Sequence, residues 1–301
     1  MVGTRVHEVE VAARAGEVFG LLAELANWPW MFRPFVHAEV LGEAGGFERC
    51  GMWTTSGERV EAWVALRRVD AARMRIDFEP ERPAPPLTRM ERAWTVEPVG
   101  EEECLVRLEH RYEAAGGDAA LEETGAVIDT IAQAETAAVK AAAELPADRR
   151  ILVVDEVRVA GSADTVHRVL YDVAAWPGLL AHVERAEVLQ DEDGAQLVEV
   201  DTREADGGIL AMRTARVGRG GTLVAYKQLV LPPIGSSHTV RWRVEPDGDG
   251  VTVRSEQVVV LAPDVADVAA VTAFVRRELS AKVRLVLDRA KEIAEAPAPR
   301  R

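Results

Sequence analysis

RVHEVEVAARAGEVFGLLAELANWPWMFRPFVHAEVL at residues 5–41 returns, thinned but in register, as VVDEVRVAGSADTVHRVLYDVAAWPGLLAHVERAEVL at residues 153–189. At a constant offset of 148, Glu8 falls on Glu156, Val9 on Val157, Val11 on Val159, Ala15 on Ala163, Val18 on Val166 and Leu22 on Leu170. Trp28-Pro29 falls on Trp176-Pro177, and Ala38-Glu39-Val40-Leu41 on Ala186-Glu187-Val188-Leu189. The match reappears where Trp94 to Pro98 faces Trp242 to Pro246. Solenoid units run to roughly 20 to 50 residues, so a period this long means a duplicated domain. The expected domains are residues 1–146 and 151–301, joined by the short linker Leu145-Pro146-Ala147-Asp148-Arg149-Arg150.

Each copy spells one succession of elements. Arg5 to Ala12 reads as a strand, and Glu17 to Leu25 sets Val18, Leu21, Leu22 and Leu25 at helical spacing. Asn27 is placed to cap a second short helix, with Pro29 early enough that its missing N–H costs little. From His37 to Glu113, Gly45-Gly46, Ser56-Gly57, Pro83 to Pro86 and Gly100 punctuate a meander of about six strands. After Gly116-Gly117-Asp118 the composition turns to Ala, Glu, Val and Ile up to Glu144, the mark of one long closing helix.

The second half repeats this order, with a final helix predicted from Asp264 to Glu295 and a tail, Ala296 to Arg301, that frays around Pro297 and Pro299. The expected class is α+β: two tandem helix-grip (START-like) domains. Each is a curved antiparallel sheet of about seven strands wrapped around a long C-terminal helix, with two short helices after the first strand. Side-chain size then decides whether the space between sheet and helix is core or an apolar cavity.

A net charge of −14 argues against a nucleic-acid partner, because phosphate binding needs clustered excess Lys and Arg. The excess is uneven: residues 1–148 carry 15 basic against 27 acidic side chains, residues 149–301 carry 21 against 23. No apolar run approaches the roughly 20 residues that span a bilayer, and Met1 to Ala12 lacks a signal-peptide pattern, so a cytoplasmic protein away from membranes is expected. Cys50 and Cys104 offer neither a metal spacing nor a disulfide framework and read as inert thiols. With no phosphate loop, nucleophile elbow, Cys-His pair or metal cluster, no cofactor or metal is expected. Acid/base work on a bound molecule, or binding alone, remains.

The first half holds five of the seven tryptophans (Trp28, Trp30, Trp53, Trp63, Trp94) and five of the six phenylalanines (Phe19, Phe32, Phe35, Phe47, Phe78). Any one of these rings is more often core than wall. Yet the fold is shared and the rings are not, which marks the first domain as the working one. Trp63 and Arg67 share a strand face with Ala65 between them. A guanidinium among rings needs either an internal carboxylate or an anionic or carbonyl-rich guest, and both readings stand. His110 shares a strand face with Leu108 and Tyr112, and Asp129 lies on the closing helix; together they have the means for proton transfer. Phe32, Trp53, Met90, Trp94 and Gln133 complete the candidate lining, whereas His7, His37, His167, His182 and His238 read as surface or packing residues.

The succession Trp28-Pro29, Phe32, Phe35, Ala38-Glu39-Val40, Trp63 with Arg67, Trp94, His110 and an Ala-rich closing helix resembles the polyketide aromatase/cyclases of bacterial type II synthases. The tandem copy resembles their two-domain branch. That resemblance implies closure of the first ring of a poly-β-ketone carried on an acyl carrier protein, by intramolecular aldol condensation and dehydration. For a chain reduced at one carbonyl it implies C7–C12 closure, without a cofactor and beside other synthase components. Carried over, Arg67 matches a pocket arginine that holds carbonyl or enolate oxygens. Trp28, Trp63 and Phe35 match aromatic walls, Phe35 standing where some members have Tyr. His110 falls where members have His or Gln, and Asp129 about where they carry a helix Asn or Asp, with Gln133 as the fallback.

In the second half Trp176 and Arg216 persist, Met212 replaces Trp63, Leu180 replaces Phe32 and a Val near 258 replaces His110, which implies a supporting domain. An acidic carrier protein needs a locally basic patch, for which Arg33 beside the helix pair is the candidate. The competing expectation is a START-like carrier of hydrophobic ligands, which needs neither Arg67 nor a proton shuttle.

Overall fold

A computed structural model describes residues 2–204 and 207–296; the expected frayed tail beyond residue 296 lies outside the described residues. The first half runs β1 (Gly3–Val11), α1 (Ala15–Ala23), a 3₁₀ turn (Leu25–Asn27), α2 (Trp28–Met31), β2 (Phe35–Ala44), β3 (Phe47–Ser56), β4 (Arg59–Asp70), β5 (Arg75–Pro80), β6 (Leu87–Pro98), β7 (Cys104–Ala114) and α3 (Gly117–Ala143). The second repeats it as β8 (Arg150–Val159), α4 (Ala163–Tyr171), a 3₁₀ turn (Val173–Ala175), α5 (Trp176–Leu179), β9 (Val183–Glu192), β10 (Ala195–Arg203), β11 (Ile209–Arg219), β12 (Leu223–Gln228), β13 (Gly235–Asp247), β14 (Gly250–Leu261) and α6 (Val268–Glu295). Each half forms one seven-stranded sheet, ordered β1-β7-β6-β5-β4-β3-β2 and β8-β14-β13-β12-β11-β10-β9. The chain divides into two compact units at Leu145/Pro146, except that the hairpin tip Thr54–Glu61 groups with the second.

Alternation drives the strands. β7 buries Cys104, Val106, Leu108, His110 and Tyr112 and turns Leu105, Arg107, Glu109 and Arg111 the other way, the period-two signature of a sheet with one covered face. The closing helix buries a stripe of Thr124, Gly125, Ile128, Ala132, Thr136 and Val139. It starts where Gly116, at φ 104°, makes a turn that a residue with a Cβ resists. At Gly125 a Cβ would stand 2.4 Å from both Arg5 Nη2 and Tyr112 Oη, so those two side-chain tips would have to move aside. Among the described residues no helix is long and apolar enough to cross a membrane.

Two local expectations are corrected. The Asn27 side chain does not cap α2; it donates to Leu21 O at 3.3 Å and accepts from Trp30 Nε1 at 3.2 Å, tying the two short helices together instead. The final helix begins at Val268 rather than Asp264, because Asp267 accepts from Ala270 N at 2.9 Å and sets its start.

Candidate active site

Trp28 organises the interior of the first unit. Its indole donates to Leu22 O at 3.0 Å and its ring meets Phe32 edge-on at 5.4 Å, Phe35 at 5.0 Å and Phe78 in a stack at 5.3 Å. Phe32 continues to Trp94 at 6.4 Å and Phe35 to Trp63 at 6.5 Å. Five of the expected lining residues thus form one continuous wall, joined by Phe78. All of these except Trp63 are buried, and Trp63 is half-buried.

Strand register sets a polar row beside that wall. Arg67 on β4 stands opposite Phe78 on β5, Phe78 opposite Arg92 on β6, Arg92 opposite His110 on β7, and His110 opposite Arg5 on β1. Strands are spaced about 4.8 Å apart, so the Arg67 and His110 backbones lie about 14 Å apart across three spacings. Met90, opposite Tyr112, occupies the same face one step further along β6.

Arg67 is only 5% exposed, and the paired alternative is the one realised: its Nε meets Glu48 Oε2 at 2.7 Å, and Nη1 donates to Ala23 O at 2.8 Å. Its Nη2 makes no hydrogen bond to the protein among the described residues. Beside it, burial pushes the Cys50 thiol up to about 11, which keeps the sulfur protonated and inert.

His110 and Asp129 are not partners. Asp129 sits where α3 crosses β1, with His7 Nε2 at 3.0 Å from Oδ1 and Arg5 Nε at 3.1 Å from Oδ2. His7 in turn faces His110 edge-on, with ring centroids 6.5 Å apart, and Nδ1 of each ring is buried without a hydrogen-bond partner. Burial chiefly, then the neighbouring Arg92 and His7, push His110 down to about 3, so it is neutral near pH 7. Arg92 forms an ion pair with Glu135 of α3, whose carboxyl burial pushes upward.

His7, Arg92 and Glu135 were missed. The signal for the first two was strand alternation, which puts His7 in phase with Arg5 and Arg92 in phase with Trp94. Glu135 lies seven residues after Ile128 on the buried helical stripe.

Two expected lining residues lie elsewhere. Glu48 reaches Arg67, so the even-numbered residues of β3 face the interior, and Trp53 packs on the opposite face against His37 at 5.3 Å. Gln133 is exposed in a surface groove with Glu8 and Lys140, because α3 turns it away from the buried stripe.

The second unit keeps half of the row. Arg216 stands opposite Tyr226, which continues through Val240 and Gln257 to Val153. Val240, Gln257 and Val153 therefore take the places of Arg92, His110 and Arg5. The residue replacing His110 is Gln257 and not a Val near 258, since five residues lie between the paired Pro98 and Cys104 but four between the equivalent Pro246 and Val251. Arg216 is sealed under Trp176, Tyr226 and Trp242 at 5.2, 5.1 and 5.8 Å, with Gln196 opposite it on β10. Burial pushes it down to about 10.

The family model described as polyketide cyclase/dehydrase and lipid transport matches residues 4–144 and again 150–295. A granaticin polyketide synthase bifunctional cyclase/dehydratase of Streptomyces violaceoruber is 30% identical over 305 residues, 96% of this chain and 93% of the relative. A protein of the same description from Streptomyces virginiae is 30% identical over 240 residues, 78% of this chain and 79% of the relative. The crystal structure of the di-domain ARO/CYC BexL from the BE-7585A biosynthetic pathway matches with a TM-score of 0.92 at 34% identity, covering 98% of this chain and 100% of that one.

Proposed function

Since the chain belongs to the polyketide cyclase/dehydrase family, in its two-domain aromatase/cyclase branch, we propose that it closes and dehydrates the first ring of a poly-β-ketone within its N-terminal module. The observation that carries the assignment to that module is the row Arg67, Phe78, Arg92, His110, Arg5, whose last three places are Val240, Gln257 and Val153 in the other. Cation and ring persist in both copies, but the half of the row that carries the histidine belongs to one. On this reading residues 1–146 are the catalytic domain and residues 151–301 the supporting one.

The substrate proposed is a chain reduced at one carbonyl, tethered to acyl carrier protein and closed between C7 and C12. Lying along the wall of Trp28, Phe35, Trp63 and Trp94, it is held with one methylene against one carbonyl; such confinement is worth on the order of several kcal/mol. A base takes the methylene proton, the enolate carbon attacks the carbonyl carbon, and the carbonyl oxygen becomes an alkoxide. The free Nη2 of Arg67 is the donor for that oxygen, its charge already balanced by Glu48. Protonation gives a β-hydroxyl, which leaves as water with a neighbouring proton to give a double bond; the hydroxyl of the reduced carbon, where it lies in the ring, leaves as a second water in the same way, and enolisation of the remaining carbonyl completes the aromatic ring.

His7, oriented by Asp129, is the proton carrier. Neutral His110 holds an oxygen by hydrogen bonding.

The test is reconstitution with the minimal synthase and ketoreductase. The intact chain should convert a mixture of shunt products into one aromatised first ring, and Arg67→Ala should return the mixture. An identical product profile with and without the chain sinks the assignment.

A further inference from the structure

The C-terminal module holds a cavity of about 270 Å³ between its sheet and α6, walled by Leu210, Met212, Ile234, Val259, Phe274 and Leu279. A cavity of about 150 Å³ takes benzene, so this one has room for two fused rings. Phe274 is half-exposed at its rim, where Lys282 pairs with Glu204 at 2.7 Å and the other lining carboxylate, Glu278, pairs with Arg277 at 3.1 Å.

Its polar contacts follow from a donor count. Gln257 Nε2 donates to Leu279 O at 3.4 Å, so its Oε1 is the atom facing His238 Nε2 at 3.2 Å, and that nitrogen carries the ring proton. Burial pushes His238 down to about 4, hence it has one ring proton only and Nδ1 must accept. Oε1 of Gln228 stands 2.8 Å from Nδ1, where two acceptors would meet, so the carboxamide is turned over and its NH₂ faces the ring. Its oxygen is then turned to the cavity, and no described residue donates to it. The pocket therefore offers that acceptor beside the buried, unpartnered Ser237 hydroxyl, among apolar side chains.

We propose that this cavity is a second binding site, selective for an uncharged bicyclic phenol whose hydroxyl donates to Gln228 while its rings lie against Met212, Val259 and Leu279. The inference stands apart from the reaction assigned to the other module, since an inactive cyclase would leave it intact.

Isothermal titration of the full-length protein with 1-naphthol and with 1-methoxynaphthalene, which lacks the donor, tests it. Naphthol should bind at least tenfold more tightly than its ether. Gln228→Leu should erase that preference, and Leu210→Trp, placed at a half-buried strand position, should weaken both ligands by filling space. Trp63→Ala in the other module should change neither. Absence of naphthol binding, equal binding of the ether, or a preference that survives Gln228→Leu and falls with Trp63→Ala overturns the proposal.

Discussion

His7 and Asp129 stand 3.0 Å apart, Nε2 to Oδ1, where the closing helix crosses the first strand, so the carboxylate orients an imidazole one ring outward from His110. On the proposed mechanism His7 would exchange protons, while His110, held at about 3, stays a neutral hydrogen-bonding group. His7→Asn and Asp129→Asn should each lower the rate of aromatised product by about a hundredfold or more. His110→Gln, which keeps a donor and an acceptor, should stay within about tenfold of the parent. Circular dichroism checks that the fold is kept, and a His7→Asn enzyme at parental rate would remove the dyad from the mechanism.

The duplication, the element order and the aromatic wall were legible because they are local: Trp28-Pro29 and its copy mark the same corner, and Trp63, Ala65 and Arg67 share a face by alternation. What escaped depends on hairpin lengths and on contacts between distant segments. The alignment of Arg67 with His110 needs the register of three hairpins, and the one-residue difference between the β6–β7 and β13–β14 hairpins shifts His110 onto Gln257 rather than onto Val258. His7 looked solitary because its carboxylate comes from a helix that reaches it only after folding.

Acid should destabilise the protein through its buried histidines. His110 and His238, at about 3 and about 4, stay unprotonated when folded, whereas the unfolded chain protonates both near 6.5. The unfolded state then binds more protons, and stability falls as pH drops from 6.5 toward 4, by up to about 1.4 kcal/mol per pH unit for each ring. Glu135 acts in the opposite sense: raised by burial, it loses stability as pH rises through its folded value. Thermal melts between pH 4 and 7 should slope accordingly and flatten in His110→Gln. A His110 ring that titrates near 6.5 by NMR would contradict this.

Trp28 touches three rings and donates to Leu22 O, so nothing can collapse into the space it leaves. Trp28→Ala should cost about 3–5 kcal/mol by chemical denaturation. Trp63→Ala removes a half-buried ring that meets Phe35 at 6.5 Å, and should cost clearly less while still blurring ring regiochemistry. Equal costs at the two positions would mean that Trp63 is core and not wall.

Arg33 is exposed in the short connection between α2 and β2, directly after Phe32 of the aromatic wall, and no described carboxylate pairs with it. An unpaired cation on a chain with net charge −14 is where an acidic carrier protein would be drawn, because steering follows the local field rather than the total. Arg33→Glu should therefore raise KM for a carrier-bound substrate about tenfold or more, increasingly so at low salt, where screening is weakest. The same variant should leave turnover of a small untethered substrate analogue unchanged, since nothing in the wall or the polar row moves. A KM that responds equally for tethered and free substrates would place Arg33 in the pocket's architecture instead of on its docking face.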